Sequence, residues 1–179
     1  VKSLGNLRTI AVIGIDPGVS SGVSVVSVEK IPRLLRSELF NFTKPRKGQF
    51  KTPSVLLANM IIEMDKERID IIGAVIEDQY VGQNVRSSLT LAHNAGRWEE
   101  AIANIGVGCE YVLPSHWQRL ELSGVTGGRA KRDVLKRAAR DIAERHFAVR
   151  LSVDAADAAL IGRYYARKKL TGLIRKGIA

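Results

Sequence analysis

Residues 10–18, Ile10-Ala11-Val12-Ile13-Gly14-Ile15-Asp16-Pro17-Gly18, read as a buried strand that runs into a turn. The first six are apolar and rich in β-branched side chains, and Asp16-Pro17-Gly18 ends the run. Working outward, further strands are predicted at 23–28 and 37–42, close enough to form an antiparallel meander. A basic loop containing proline and glycine follows at 44–51. Thr52-Pro53 then supplies a cap and a first-turn proline for a helix whose Leu57, Met60, Ile61 and Met64 share one apolar face. The short apolar run 71–76 fits a parallel strand covered on both sides. A helix over about 84–104, a strand at 110–113, a glycine-rich loop at 123–128 and two helices, about 130–146 and 153–169, complete the order βββαβαβαα. The expected architecture is α/β: a mixed five-stranded sheet with helices on both faces, in a single domain over 1–179 with a basic tail at about 167–179.

Composition narrows the partners. In 179 residues, 28 Lys+Arg oppose 18 Asp+Glu, a net charge of +10 that favours a polyanion such as nucleic acid. The excess gathers in the C-terminal half. Cys109 is the single cysteine, which excludes an intrachain disulfide and a thiolate zinc cluster and fits a reducing, cytoplasmic compartment. His93, His116 and His146 show no metal-ligand spacing, and His93, in mid-helix, is expected to be structural. No apolar run approaches the ~20 residues that cross a bilayer, so no membrane partner is expected. The first six residues lack the sections of a secretory signal.

Four acids stand where the predicted elements can bring them together. Asp16 ends the first strand, Glu77 follows the run 71–76, and Asp154 and Asp157 lie three apart at a helix start that Ser152 suits as cap. Each has a simpler reading alone. Asp16 before Pro-Gly is a good turn residue, and an acid in a first helical turn complements the macrodipole. Jointly they suggest four converging carboxylates with no evident salt-bridge partner among them, tolerable with hard cations such as Mg²⁺ or Mn²⁺.

These residues carry a resemblance. Ile13-Gly14-Ile15-Asp16-Pro17-Gly18, Ile76-Glu77 followed by Tyr80 and Asn84, and Asp154-Ala155-Ala156-Asp157-Ala158 resemble the three motifs of RuvC-type Holliday-junction resolvases, in order and spacing. The likeness extends through 88–100 and 129–137. It implies an RNase H-like fold and a DNA endonuclease in which Asp16, Glu77, Asp154 and Asp157 hold two Mg²⁺ ions, with Mn²⁺ able to substitute. One ion would activate a water and the other stabilise the leaving 3′ oxygen. The implied products are paired symmetric nicks across a four-way junction, with 5′-phosphate and 3′-hydroxyl ends. Lys131 matches a basic position near the scissile phosphate, Arg119 a second such position, and Tyr80 an aromatic near the junction centre.

The residues add their own reading of the interface. Arg132, Lys136 and Arg140 recur at four-residue spacing, a stripe opposite Val134, Leu135, Ala138 and Ile142, and Arg129 closes the glycine-rich loop before them. An isolated helix would present such a stripe as a solvated face, but after the glycine-rich loop and beside Lys131 it reads as a set of phosphate contacts. Asp78 adds a fifth acid beside Glu77. The resemblance also implies a nucleoid-associated, host- or phage-encoded homodimer built on the helix at 84–104. There Ser88, Ala92, Ala95 and Gly96 form a small-residue stripe flanked by Leu89 and Trp98, and the chain's own sheet is the other surface it could pack on. A broader debranching nuclease acting on forks, flaps and Y-junctions fits every residue equally, and a non-catalytic nucleic-acid-binding module of this fold is the non-enzyme alternative.

Overall fold

The computed structural model describes residues 8–43, 52–78, 85–125 and 131–178. Five strands, β1 (Thr9–Asp16), β2 (Ser20–Ser27), β3 (Leu34–Asn41), β4 (Ile69–Glu77) and β5 (Cys109–Val112), form one sheet in the order β3-β2-β1-β4-β5. The β1–β2 and β2–β3 pairs are antiparallel, whereas β4 lies parallel to β1 and β5 parallel to β4. The helices are α1 (Pro53–Lys66), α2 (Val85–Asn104), α3 (Pro114–Glu121), α4 (Arg132–Phe147) and α5 (Val153–Arg175). This is the expected mixed sheet with helices on both faces.

Alternation along the strands sorts the core into two layers. Ala11, Ile13 and Ile15 of β1, with Val23, Val25 and Ile76, pack under α1 and α2 against Leu57, Met60, Trp98 and Ile102. Val12, Val26 and Val75 face the opposite way, under Trp117 of α3, Ile142 of α4 and Leu160, Ile161 and Tyr165 of α5. The same parity puts Gly14 and Asp16 of β1, and Glu77 of β4, on the α5 side.

α5 reaches the sheet at backbone distance. A Cβ on Gly14 would stand 2.4 Å from Gly162 N and 2.5 Å from Ala158 O, and one on Gly22 would stand 2.0 Å from Asp154 O. The Ser24 hydroxyl donates to Ala158 O at 2.7 Å in this buried contact. Ser152 caps the helix, its Oγ accepting from Ala155 N at 3.3 Å. Thr52 does the same for α1, accepting from Val55 N. On the other layer, Trp98 gives its indole N–H to Ser21 Oγ at 3.0 Å, and Ser21 in turn donates to Gly18 O, fixing the turn after Asp16.

Several expectations are corrected. α3 interrupts the predicted order; eight residues with one large inward side chain, Trp117, give little periodicity, although Pro114 in its first turn was a start signal. α5 continues to Arg175, so much of the expected tail is helix. In α1 it is Leu56, not Ile61, that is fully buried with Leu57, Met60 and Met64. β4 is covered on both sides only from Gly73 onward, since Ile72 is exposed. Trp98 and Ala95 belong to the core, whereas Leu89, Ala92 and Gly96 are exposed, so the small-residue stripe on α2 is divided between two environments. His93 is exposed rather than structural. The loop at 44–51 lies outside the described residues, as does the end of the glycine-rich loop.

The close seat of α5 has a direct test. Gly14→Ala should destabilise the protein by ~1–3 kcal/mol, because the added methyl meets backbone that cannot step aside. Gly96→Ala, with nothing within 4 Å of the new methyl, should be neutral or stabilise by ~0.5–1 kcal/mol. Urea unfolding of both variants measures the difference, and equal midpoints would contradict the contact.

Candidate active site

The end of β1 carries Asp16, the end of its parallel neighbour β4 carries Glu77, and the first turn of α5 carries Asp154 and Asp157. Because α5 lies across β1 and β2, all four line one cleft of about 390 Å³. Asp16 and Asp157 are buried, and Glu77 and Asp154 are partly so. Asp16 accepts the backbone N–H of Gly18 at 3.3 Å. Glu77 Oε1 accepts the Trp117 indole N–H at 2.8 Å.

The cleft contains a cation that the sequence placed elsewhere. Lys136 Nζ lies 3.1 Å from Asp154 Oδ1 and 3.7 Å from Asp157 Oδ2, so the acids do have a salt-bridge partner. Lys136 is thereby turned inward, with Arg132 one turn earlier lining the same cleft, so the three do not form one solvent stripe with Arg140. The reason is the rotation of α4, whose buried face is Ala139, Ile142 and Ala143, leaving Val134 exposed. Lys136, three before Ala139 and seven before Ala143, falls beside that face, a signal present in the sequence but carried by small residues.

One ammonium does not neutralise the group. Burial, joined by the charge of Asp154 and opposed by Lys136, pushes the Asp16 carboxyl up to about 6. Burial and then the charges of Asp16 and Asp157 push Glu77 to about 8 against the Trp117 hydrogen bond. Asp157 is pushed to about 7 by burial and Asp16, with Lys136 opposing. Burial alone would lower the Lys136 ammonium, but Asp157 and Asp154 more than offset it and hold it above the ordinary lysine value. Among the described residues no three His, Cys, Asp or Glu side chains form a ready-made metal cage. The donor chemistry nonetheless fits a hard divalent cation. The acids are all oxygen donors, and the carboxyls of Asp16, Glu77 and Asp157 are raised by burial and by neighbouring acids, conditions that a cation would relieve.

The remaining expected residues are dispersed. Arg132 lines the cleft, and Lys131, the residue before α4, is exposed beside it. Arg119 is exposed on α3, whose Trp117 and Gln118 line the cleft. Arg140 lies farther along α4, with Nε 3.7 Å from Asp141 Oδ1. Asp78 is not among the residues that line the cleft, and its backbone N–H extends the β4–β5 pairing to Val112 O. Tyr80 and Arg129 lie outside the described residues. Sequence reasoning missed Trp117.

The raised acids give a signed pH dependence. A carboxyl that ionises at higher pH when folded binds more protons in the folded state, so stability is lost as pH rises from the ordinary carboxylate range near 4 to about 8. His146, which its partial burial and nearby arginines lower, contributes the opposite slope. Comparing variants cancels it. In chelator-containing buffer, melting of the wild type should fall over this window, and Asp157→Asn should fall less. Parallel curves would contradict the electrostatic description.

The chain matches no protein-family model and no curated protein. Among solved structures it resembles T. thermophilus RuvC in complex with Holliday junction substrate, at TM-score 0.66 and 18% identity over 94% of this chain and 98% of that one. A second Thermus thermophilus RuvC structure aligns at TM-score 0.59 and 22% identity, over 89% and 97% of the two chains. The yeast mitochondrial Holliday junction resolvase Ydc2 aligns at TM-score 0.53 and 14% identity, over 97% and 85%. At such identities the likeness concerns architecture: the chain has the RNase H-like fold in the form found in RuvC-type resolvases.

Proposed function

We propose that the chain is a divalent-metal-dependent DNA endonuclease that resolves four-way junctions. The observation that carries this reading is the gathering of Asp16, Glu77, Asp154 and Asp157, from two strand ends and one helix start, in a single cleft beside Arg132. The net charge of +10 supports a nucleic-acid substrate. The fold shared with resolvases supports branched DNA as its form.

The four acids would hold two Mg²⁺ ions, or Mn²⁺ in their place, and such ions when bound supply an activated water and stabilise the leaving 3′ oxygen. The chain's own groups have separate tasks. The Gly18 N–H and the Trp117 N–H orient the carboxylates of Asp16 and Glu77. Lys136 balances Asp154 and Asp157 and, once released from them, would contact a substrate phosphate from its place in the cleft wall. Lys131 stabilises charge that develops on the scissile phosphate. Arg119, Arg129, Arg132 and Arg140 contact flanking phosphates, and Tyr80 stacks on a base at the branch. Hydrolysis at this site leaves a 5′-phosphate and a 3′-hydroxyl. Symmetric nicks in two strands need two such sites, which a twofold homodimer provides. The exposed part of α2, with Leu89 66% and Val85 63% exposed, is an apolar face suited to that interface.

Incubation with four-way junction, fork and linear duplex, with and without Mg²⁺, tests the reading. Paired cuts in the junction that require Mg²⁺ are expected, and Asp16→Asn, Glu77→Gln and Asp157→Asn should each remove cleavage while keeping junction binding. Equal cutting of forks and junctions would make the protein a general debranching nuclease; binding without any cutting would make it a non-catalytic module.

The dimer has its own test. Light scattering across a concentration range should give twice the chain mass, and Ala92→Arg, on the exposed face of α2, should yield a monomer that no longer makes paired cuts. A monomer that nicks both strands symmetrically would overturn the dimer.

A further inference from the structure

α3 touches the acidic cleft and α5 at once. The Trp117 indole, 1% exposed, gives its N–H to Glu77 Oε1. One turn further, on the same helix face, the Glu121 side chain is fully buried and its Oε2 meets the Arg163 guanidinium of α5. Its Oε1 has no hydrogen bond, with Arg167 NH1 3.6 Å away. Neither feature is what packing alone would select. A phenylalanine fills most of an indole's volume without a polar group to satisfy, and two apolar residues join helices at least as well as a buried ion pair. A buried ion pair fixes orientation, and an indole N–H aimed at a carboxylate fixes its rotamer.

The two contacts join the parts of the site that come from different elements. Glu77 stands on the sheet, while Asp154 and Asp157 stand on α5. We infer that α3 is a positioning brace: Trp117 sets the orientation of Glu77, and the Glu121–Arg163 pair locks α3 to α5, so Glu77 is held in a fixed orientation toward the acids of α5, whose height over the sheet the α5 seat sets. The inference rests on the metal-binding reading of the cleft. Trp117 and Glu121 are positioning residues: Trp117 acts through Glu77, and Glu121 acts through its hold on Arg163 of α5. Partners of this kind, once removed, cost a metal site roughly 10–100-fold in affinity.

The test is Mn²⁺ binding to the full chain, read from the free-ion electron paramagnetic resonance signal. Trp117→Phe, which deletes the N–H and keeps an aromatic ring, should weaken Mn²⁺ binding roughly 10-fold or more. Glu121→Gln should weaken it in the same direction. Should Trp117→Phe fail to fold, the N–H can be removed alone by incorporating a tryptophan analogue with sulfur in place of the indole nitrogen. Trp98→Phe as background leaves Trp117 the sole site, since the chain has two tryptophans, and because Trp98 supports the turn after Asp16 the analogue is compared with that same background carrying natural tryptophan. In the same background, with natural tryptophan, Glu77→Ala should shift the Trp117 emission. A wild-type protein that takes up no Mn²⁺ would overturn the metal reading. Wild-type uptake with undiminished affinity in Trp117→Phe, or in the sulfur analogue, would overturn the role of Trp117 alone. Undiminished affinity in Glu121→Gln would overturn the part given to the ion pair.

Discussion

The backbone of α5 lies on β1 and β2 without side chains between them at Gly14 and Gly22, and the Ser24 hydroxyl closes the contact by donating to Ala158 O. Everything else about the cleft depends on this seat. An ordinary helix-on-sheet packing keeps about 10 Å between the layers, the room that intervening side chains need. Here the helix start is drawn down to the strand ends, so that Asp154 and Asp157 reach the level of Asp16 and Glu77. Parity does the rest. Asp16 follows Gly14 by two residues and Glu77 follows Val75 by two, so both acids face α5 and not the layer of α1 and α2.

That arrangement concentrates acidic groups where they are largely shielded from solvent. Burial is the first cause of the raised Asp16, Glu77 and Asp157 carboxyls; Asp16 then raises Glu77 and Asp157 further, and Asp154 raises Asp16 and Asp157. A fold selected for stability alone would place an apolar residue at such positions, because burial penalises the ionised acid. Lys136 relieves the repulsion only in part: its ammonium pairs with Asp154 and Asp157, on the helix side, while Trp117 and Gly18 supply hydrogen bonds to Glu77 and Asp16. The cleft is thus poised toward cations, and the basic residues around its rim are poised toward anions. A phosphodiester with its metal ions satisfies both conditions.

Much of this was legible in the sequence. The run 10–15 with its Asp-Pro-Gly ending, the apolar stretch before Glu77 and the three-residue spacing of Asp154 and Asp157 each follow from a period that the backbone imposes. What escaped detection depends on weaker signals. The rotation of α4 is set by Ala139 and Ala143, whose small side chains barely mark a helix face, so Lys136 could not be told from Arg132 and Arg140 by spacing. α3 is too short for a period, and the partner of its Trp117 is 40 positions away in the chain. The division of α2 between core and surface is likewise a tertiary fact: Trp98 and Ala95 meet the sheet layer, while Leu89 and Ala92, on earlier turns, do not.

The central claim is that these four acids form one metal-binding centre, and a crystal grown with Mn²⁺ tests it most directly. Anomalous scattering should show Mn²⁺ inside the cleft, ligated by carboxylate oxygens of Asp16, Glu77, Asp154 and Asp157, with Lys136 withdrawn from Asp154. A cleft without Mn²⁺ density, Lys136 still bonded to Asp154 at saturating metal, would contradict it.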